Sequence, residues 1–156
     1  MLSHPLANPL GARGLIVAFG GINYLAVLGA AVASWLLSAA WYALLARPWM
    51  IALGKTRTEL MGPDGRPSPL PFVVAFLAQF LMAWVLAGLI GHTGPGQAGV
   101  AGGIVAGFLV WLGFVITTLS TNHGFGGHRS MLTVIDGGHW LAVLLLQGAV
   151  LGLFAR

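Results

Sequence analysis

The residues of this chain that could do chemistry gather around one acid. Asp136 is the only carboxylate inside a long apolar run, and His139 follows three residues later, so on a helix the two side chains share a face. His123 and His128 precede them in a Gly-rich connection, and Thr117, Thr118, Thr121 and Asn122 end the apolar run that leads into it. Trp41, Tyr42 and Arg47 close an earlier run on the same side and could join the group. An ionisable residue within a membrane span is costly and is a functional candidate by default. His and Asp are legitimate ligands for zinc or iron, and four of them fall between His123 and His139. Their spacing matches no established signature, such as paired His on one helical turn beside a catalytic Glu, so no metal is assigned. A second reading makes Asp136 and His139 a proton relay or cation site. The third is structural and is the one expected here. Near the start of a helix Asp136 is favoured by the dipole and can bond free backbone N–H groups or Arg129, while His139 bonds across to a Thr or Tyr.

Catalysis is poorly supplied. There are three acids and no cysteine, which leaves little for general acid–base work and excludes thiolate metal sites and disulfides. No phosphate loop, nucleophile elbow or cofactor motif occurs, so no catalytic residue and no cofactor is assigned.

The elements that must position the cluster are legible from hydropathy. Charged residues make up 6% of the chain and apolar ones 58%. A helix crosses the hydrocarbon core with about 20 predominantly apolar residues, and four such runs cover 22–46, 72–91, 99–121 and 132–154. They are continuous and rich in Leu and Ala, unlike the ten-residue alternation of barrel strands. The fold class is therefore all-α: a polytopic membrane protein whose four transmembrane helices form one compact bundle over 22–156, preceded by a leader at 1–21. Leu15 to Phe19 would be a short interfacial lead-in, with Gly20 and Gly21 as the break. A cleaved signal peptide ending near Ala31 or Ala33 is disfavoured, because the apolar run continues past both.

Seven Lys and Arg give a net charge of +4, but they sit at span ends, so they report orientation rather than nucleic-acid binding. Arg47, Lys55, Arg57 and Arg66 lie in the first connection and Arg129 in the third, against Arg13 and Arg156 on the other side. The positive-inside rule then places both termini outside the cytoplasm. The expected location is a bacterial inner membrane.

In lipid, helices approach closely where small residues repeat every four positions. Ala26, Ala30, Ser34 and Ser38 do so in the first span, Gly99, Gly103 and Gly107 in the third, and Gly148 and Gly152 in the fourth. Packing within the bundle is the first reading of these seams and a homo-oligomer interface the second; both can hold together. Val110 is expected on the lipid face. Gln79 and Gln147 are expected to bond between helices. Trp41, Tyr42 and Trp49 read as a headgroup anchor. Pro48 to Met61 reads as a short amphipathic helix on the inner leaflet, between the first and second spans.

Several stretches carry a family resemblance. Asn23-Tyr24-Leu25-Ala26-Val27-Leu28, Trp41-Tyr42, Arg47-Pro48-Trp49-Met50 and Leu53-Gly54 resemble the start of domain-of-unknown-function family 1761. The likeness continues through Trp111-Leu112-Gly113-Phe114, Thr117-Thr118, Thr121-Asn122 with Phe125 and Arg129, and on to Ile135, Gly138 and Gly148-Ala149-Val150-Leu151-Gly152. It runs from Asn23 to the C-terminus and implies a small four-span membrane protein with no established activity. The family more typically carries Asn where Asp136 stands and Tyr where His139 stands. The resemblance thus makes Trp41, Tyr42 and Asn122 better shared-site candidates than the histidines.

The expected function is that of a non-enzymatic membrane protein, a small oligomer or an accessory or assembly subunit of a larger complex, with the lipid bilayer as its solvent. The alternative is a small-solute, ion or proton transporter working through Asp136 and His139. Its mark would be a polar cavity reaching Asp136.

Overall fold

A computed structural model of the protein describes residues 21–62, 65–92 and 99–155. The expected leader apart from Gly21, the lead-in at Leu15 to Phe19, the connection at 93–98, Arg13 and Arg156 lie outside the described residues. Four helices are long and apolar enough to cross a membrane, which makes this a multi-pass membrane protein: α1 (Tyr24–Leu44), α3 (Leu70–Gly91), α4 (Val100–Phe125) and α5 (Ser130–Phe154). Between the first two lies a short helix, α2 (Ala46–Leu53).

Local chemistry sets the boundaries. Asn23 caps α1, its side-chain oxygen accepting from the backbone N–H groups of Leu25 and Ala26 at 3.1 Å. Pro48 falls in the first turn of α2, where its missing N–H costs nothing. Gly54, at φ +74°, stops that helix in the left-handed region. The expected amphipathic helix from Pro48 to Met61 is therefore two pieces. After Gly54 the chain restarts as a 3-10 turn, Thr58–Leu60. Ahead of it Thr56 and Glu59 bond reciprocally: the Thr56 N–H and hydroxyl donate to Glu59 Oε2 at 2.7 and 2.6 Å, and the Glu59 N–H returns to Thr56 Oγ1 at 3.4 Å. This is a capping box. The Thr56 hydroxyl first, then its backbone N–H, hold the Glu59 carboxyl below its ordinary range.

Helix α5 is the hub and touches every other helix. Against α4 the glycine seams close within one chain. A Cβ on Gly103 or Gly148 would strike the carbonyl of the other, and one on Gly152 would strike that of Gly99, so the two backbones are in direct contact. On the opposite flank Ala26, Ala30 and Ser34 of α1 are buried. Val110, expected toward lipid, instead packs against the apolar core.

Helix α4 carries a π turn, Trp111–Val115. In hydrocarbon the Trp111 indole N–H needs a partner, and it donates to the carbonyl of Gly137 on α5 at 2.8 Å. Ile116 then seats on Gly137, where a Cβ would meet its Cδ1 at 2.6 Å. A straight α-helix would carry the stripe facing α5 from Gly107 through 111, 115, 118 and 122. The wide turn absorbs one extra residue and advances everything beyond it by about 100°. The stripe becomes Trp111, Ile116 and His123.

Candidate functional site

Two polar assemblies occupy the half of the bundle nearest α2. The outer one centres on Asp136, whose Oδ1 accepts from the Tyr42 hydroxyl at 2.9 Å and from the Trp49 indole at 3.1 Å. Its Oδ2 lies 3.9 Å from His123 Nε2, and His123 Nδ1 is 3.0 Å from the Thr133 hydroxyl. One carboxylate thus ties α1, α2 and α4 to α5. The expected partners were different. Arg129 and free backbone N–H groups make no bond to Asp136; Tyr42 and Trp49 reach it because α1 and α2 cross α5 at this level.

The inner assembly sits at Ser38. Its hydroxyl donates to the Ser34 carbonyl at 2.9 Å and meets Gln79 Nε2 at 2.8 Å and His139 Nε2 at 2.7 Å. One turn deeper, Gln147 Nε2 donates to Ser34 Oγ at 2.9 Å and to the Gln79 carbonyl at 3.0 Å, and Ser34 itself donates to the Ala31 carbonyl. His139 thus bonds a Ser rather than the expected Thr or Tyr. The Tyr42 ring lies beside it, with centroids 4.8 Å apart. Both glutamines bridge helices as expected, and Ser34 and Ser38, read from sequence as seam residues, are also the acceptors that hold the bridges.

Between α1, α2, α3 and α5 lies a pocket of about 660 Å³, within the ~300–1,000 Å³ span of small-ligand sites. Trp35, Tyr42, Trp49, Phe72 and Trp140 wall it, together with Arg57, Leu60 and Met61 of the capped turn. Ser38, Gln79 and His139 also line it. Trp35 is fixed by its indole bond to the Phe72 carbonyl at 3.2 Å and by an edge contact with Phe76. Depth follows from register. Trp35, Gln79 and His139 each lie nine residues from the α2-side ends of α1, α3 and α5, or about 14 Å at 1.5 Å per residue. That is close to half of a ~30 Å core. Beyond the inner assembly the bundle is apolar, with Val27, Ala30, Leu86, Ile90 and Leu151 buried. Asp136 does not line the pocket, although its partners Tyr42 and Trp49 do.

Of the sequence candidates, the structure joins Tyr42, His123 and Asp136 in one assembly and places His139 in the other. His128 packs edge-on against the His123 ring, centroids 5.6 Å apart. Trp41 lies over Gly138, and its buried indole N–H has no hydrogen-bond partner. Asn122 is exposed and outside both assemblies, because the π turn hands its inward place to His123. His123 belongs to the last turn of α4 rather than to a loop. Thr117, Thr118 and Thr121 also face outward and donate to carbonyls one turn back, among them Gly113 and Phe114 of the π turn. Among the described residues, no three His, Asp or Glu side chains converge as a metal site. Trp49 and Ser38, which the sequence marks only as a headgroup anchor and a seam residue, belong to these assemblies, as does Gln79, whose apolar setting already calls for a partner on another helix.

No curated protein and no solved structure matches the chain. One family model does, across residues 25–152, which takes in α2 to α4, nearly all of α1 and α5, and both polar assemblies. The chain belongs to the family described as protein of unknown function (DUF1761).

Proposed function

We propose that this is a non-enzymatic membrane protein that binds a lipid-soluble small molecule in the pocket beneath α2. The observation that carries the reading is a pocket of about 660 Å³ with aromatic walls, lined also by Ser38, Gln79 and His139 of the inner polar assembly near mid-bilayer depth. Ligand sites are typically concave and mostly apolar, with a few placed polar groups to orient the occupant. The Asp136 bonds to Tyr42 and Trp49 fix two of those walls. A photoreactive alkylbenzene in lipid nanodiscs tests it. Cross-links should concentrate on 35–43 and 71–79 and be suppressed by Ala75→Trp, which fills the pocket. Even labelling of lipid-facing residues such as Leu109 and Phe114, unchanged by Ala75→Trp, would refute it.

Transport is the second reading, and it draws less support. The polar assemblies run inward from Asp136 to Gln147 and end against apolar packing, so they favour one-sided binding over passage. Arg47, Lys55, Arg57, Arg66 and Arg129 all lie at the α2 side, which supports placing that side in the cytoplasm. Assembly as an oligomer or accessory subunit would use the lipid-facing surfaces, since the glycine seams are occupied within the chain. Native mass spectrometry after gentle extraction would report such partners directly.

A further inference from the structure

The inner assembly has an asymmetry in its hydrogen bonding. Ser38 Oγ carries one hydrogen and commits it to the Ser34 carbonyl. Gln79 Nε2 and His139 Nε2 must both donate to its lone pairs. With the Ser38 hydrogen on that carbonyl, the His139 ring takes the Nε2–H tautomer and its Nδ1 is an acceptor. Each donor atom in the assembly therefore makes at least one bond, with one Gln79 Nε2 hydrogen left over. The buried side-chain atoms without a partner are three acceptors, Gln79 Oε1, Gln147 Oε1 and His139 Nδ1, and one donor, the indole N–H of Trp41, whose ring centroid lies 6.3 Å from that of His139. Gln79 is 1% exposed and His139 3%, so bulk water does not meet the demand. An unpaired buried polar atom is costly, and a partner that supplies the missing hydrogen gains what the protein lacks. Gln79 and His139 are also the two of these residues that line the pocket.

We infer that the pocket selects a ligand with an apolar, ring-bearing body and a hydrogen-bond donor at its inner end, the chemistry of a lipid-soluble phenol. The inference rests on the binding function proposed above. The ring stacks among Trp35, Tyr42 and Trp140, where edge and offset contacts between aromatic rings are favourable. The hydroxyl donates to Gln79 Oε1 or His139 Nδ1. Both residues line the pocket, and rocking about the terminal amide or imidazole torsion, which is broad, turns these atoms toward it. A site built to bond a ligand O–H rejects the analogue without it, because its own polar groups are then left unpaired.

The test compares para-hexylphenol with its methyl ether, which keeps the body and removes the donor. Binding is read by tryptophan fluorescence in lipid nanodiscs, at equal mole fraction in the lipid so that partitioning cancels. The phenol should bind about tenfold more tightly than the ether. Gln79→Leu and His139→Phe together should bring that ratio to about one while ether binding persists. If both probes bind the unaltered protein equally, donor selection is wrong and the pocket function stands. If neither binds, both readings fall. A preference for phenol that survives both substitutions would overturn the assignment to Gln79 and His139. The comparison on unaltered protein decides the matter even where a variant does not fold.

Discussion

Replacing Gly148 with Ala should loosen the whole bundle, although it adds one methyl group. A Cβ there would overlap the Gly103 carbonyl, with Gly103 C at 2.6 Å and Ile104 N at 3.2 Å, against 3.4–4 Å for ordinary contact. These are backbone atoms, so no side chain can swing aside. Helices α4 and α5 must part by about 1 Å, and a gap of 0.5–1 Å already forfeits a quarter to a half of the dispersion attraction across it. Overpacking of this kind costs about 2–3 kcal/mol. The matched control is Gly29→Ala, the same substitution at a helical glycine whose added Cβ meets nothing within 4 Å. There the better helix propensity of Ala should leave stability unchanged or raise it by up to about 1 kcal/mol. Unfolding in mixed micelles with increasing dodecyl sulfate, followed by circular dichroism, measures both. If Gly148→Ala and Gly29→Ala agree within about 0.5 kcal/mol, the backbone contact between α4 and α5 does not hold the fold. Gly103→Leu should exceed Gly148→Ala, and the exposed Val105→Leu should be silent.

The polar assemblies make further predictions. Asp136→Asn keeps an oxygen for Tyr42 and Trp49 and should change stability by about 1 kcal/mol or less, whereas Asp136→Leu strands both donors and should cost about 2 kcal/mol or more in the same unfolding assay. Ser38→Ala removes the shared acceptor of Gln79 and His139 and should cost about 2 kcal/mol, with Ser38→Thr restoring most of it. Because Glu59 has a lowered pKa, its capping box is fully formed above the ordinary carboxylate range and is lost as pH falls through the lowered value. Amide protection across 56–61, taken relative to the intrinsic exchange rate at each pH, should therefore persist through the usual Glu titration and fall only below it, and Glu59→Gln should remove that fall.

The four spans were legible because lipid leaves little latitude: a run must be long, apolar and closed in its own hydrogen bonds. The seam glycines were legible for a related reason, since Gly at every fourth position on one face has few other uses in hydrocarbon. Details that depend on a single residue of register were not. Reading α4 as a straight helix turns Asn122 toward α5 and His123 away. The wide turn at Trp111–Val115 reverses that, and what favours it is a bond to the Gly137 carbonyl, 26 residues along the chain. No local pattern at Trp111 announces that acceptor. The pocket has the same character. Gln79 and His139 stand out singly as polar residues and Trp35 does not, but their common property, nine residues from the α2-side helix end, appears only when three helices are aligned. Gln79 and Gln147 were visible as polar residues that needed partners, but pairing both through two serines of α1 leaves both side-chain oxygens over. That imbalance is a property of the assembled network, and a ligand that brings a hydrogen is what would correct it.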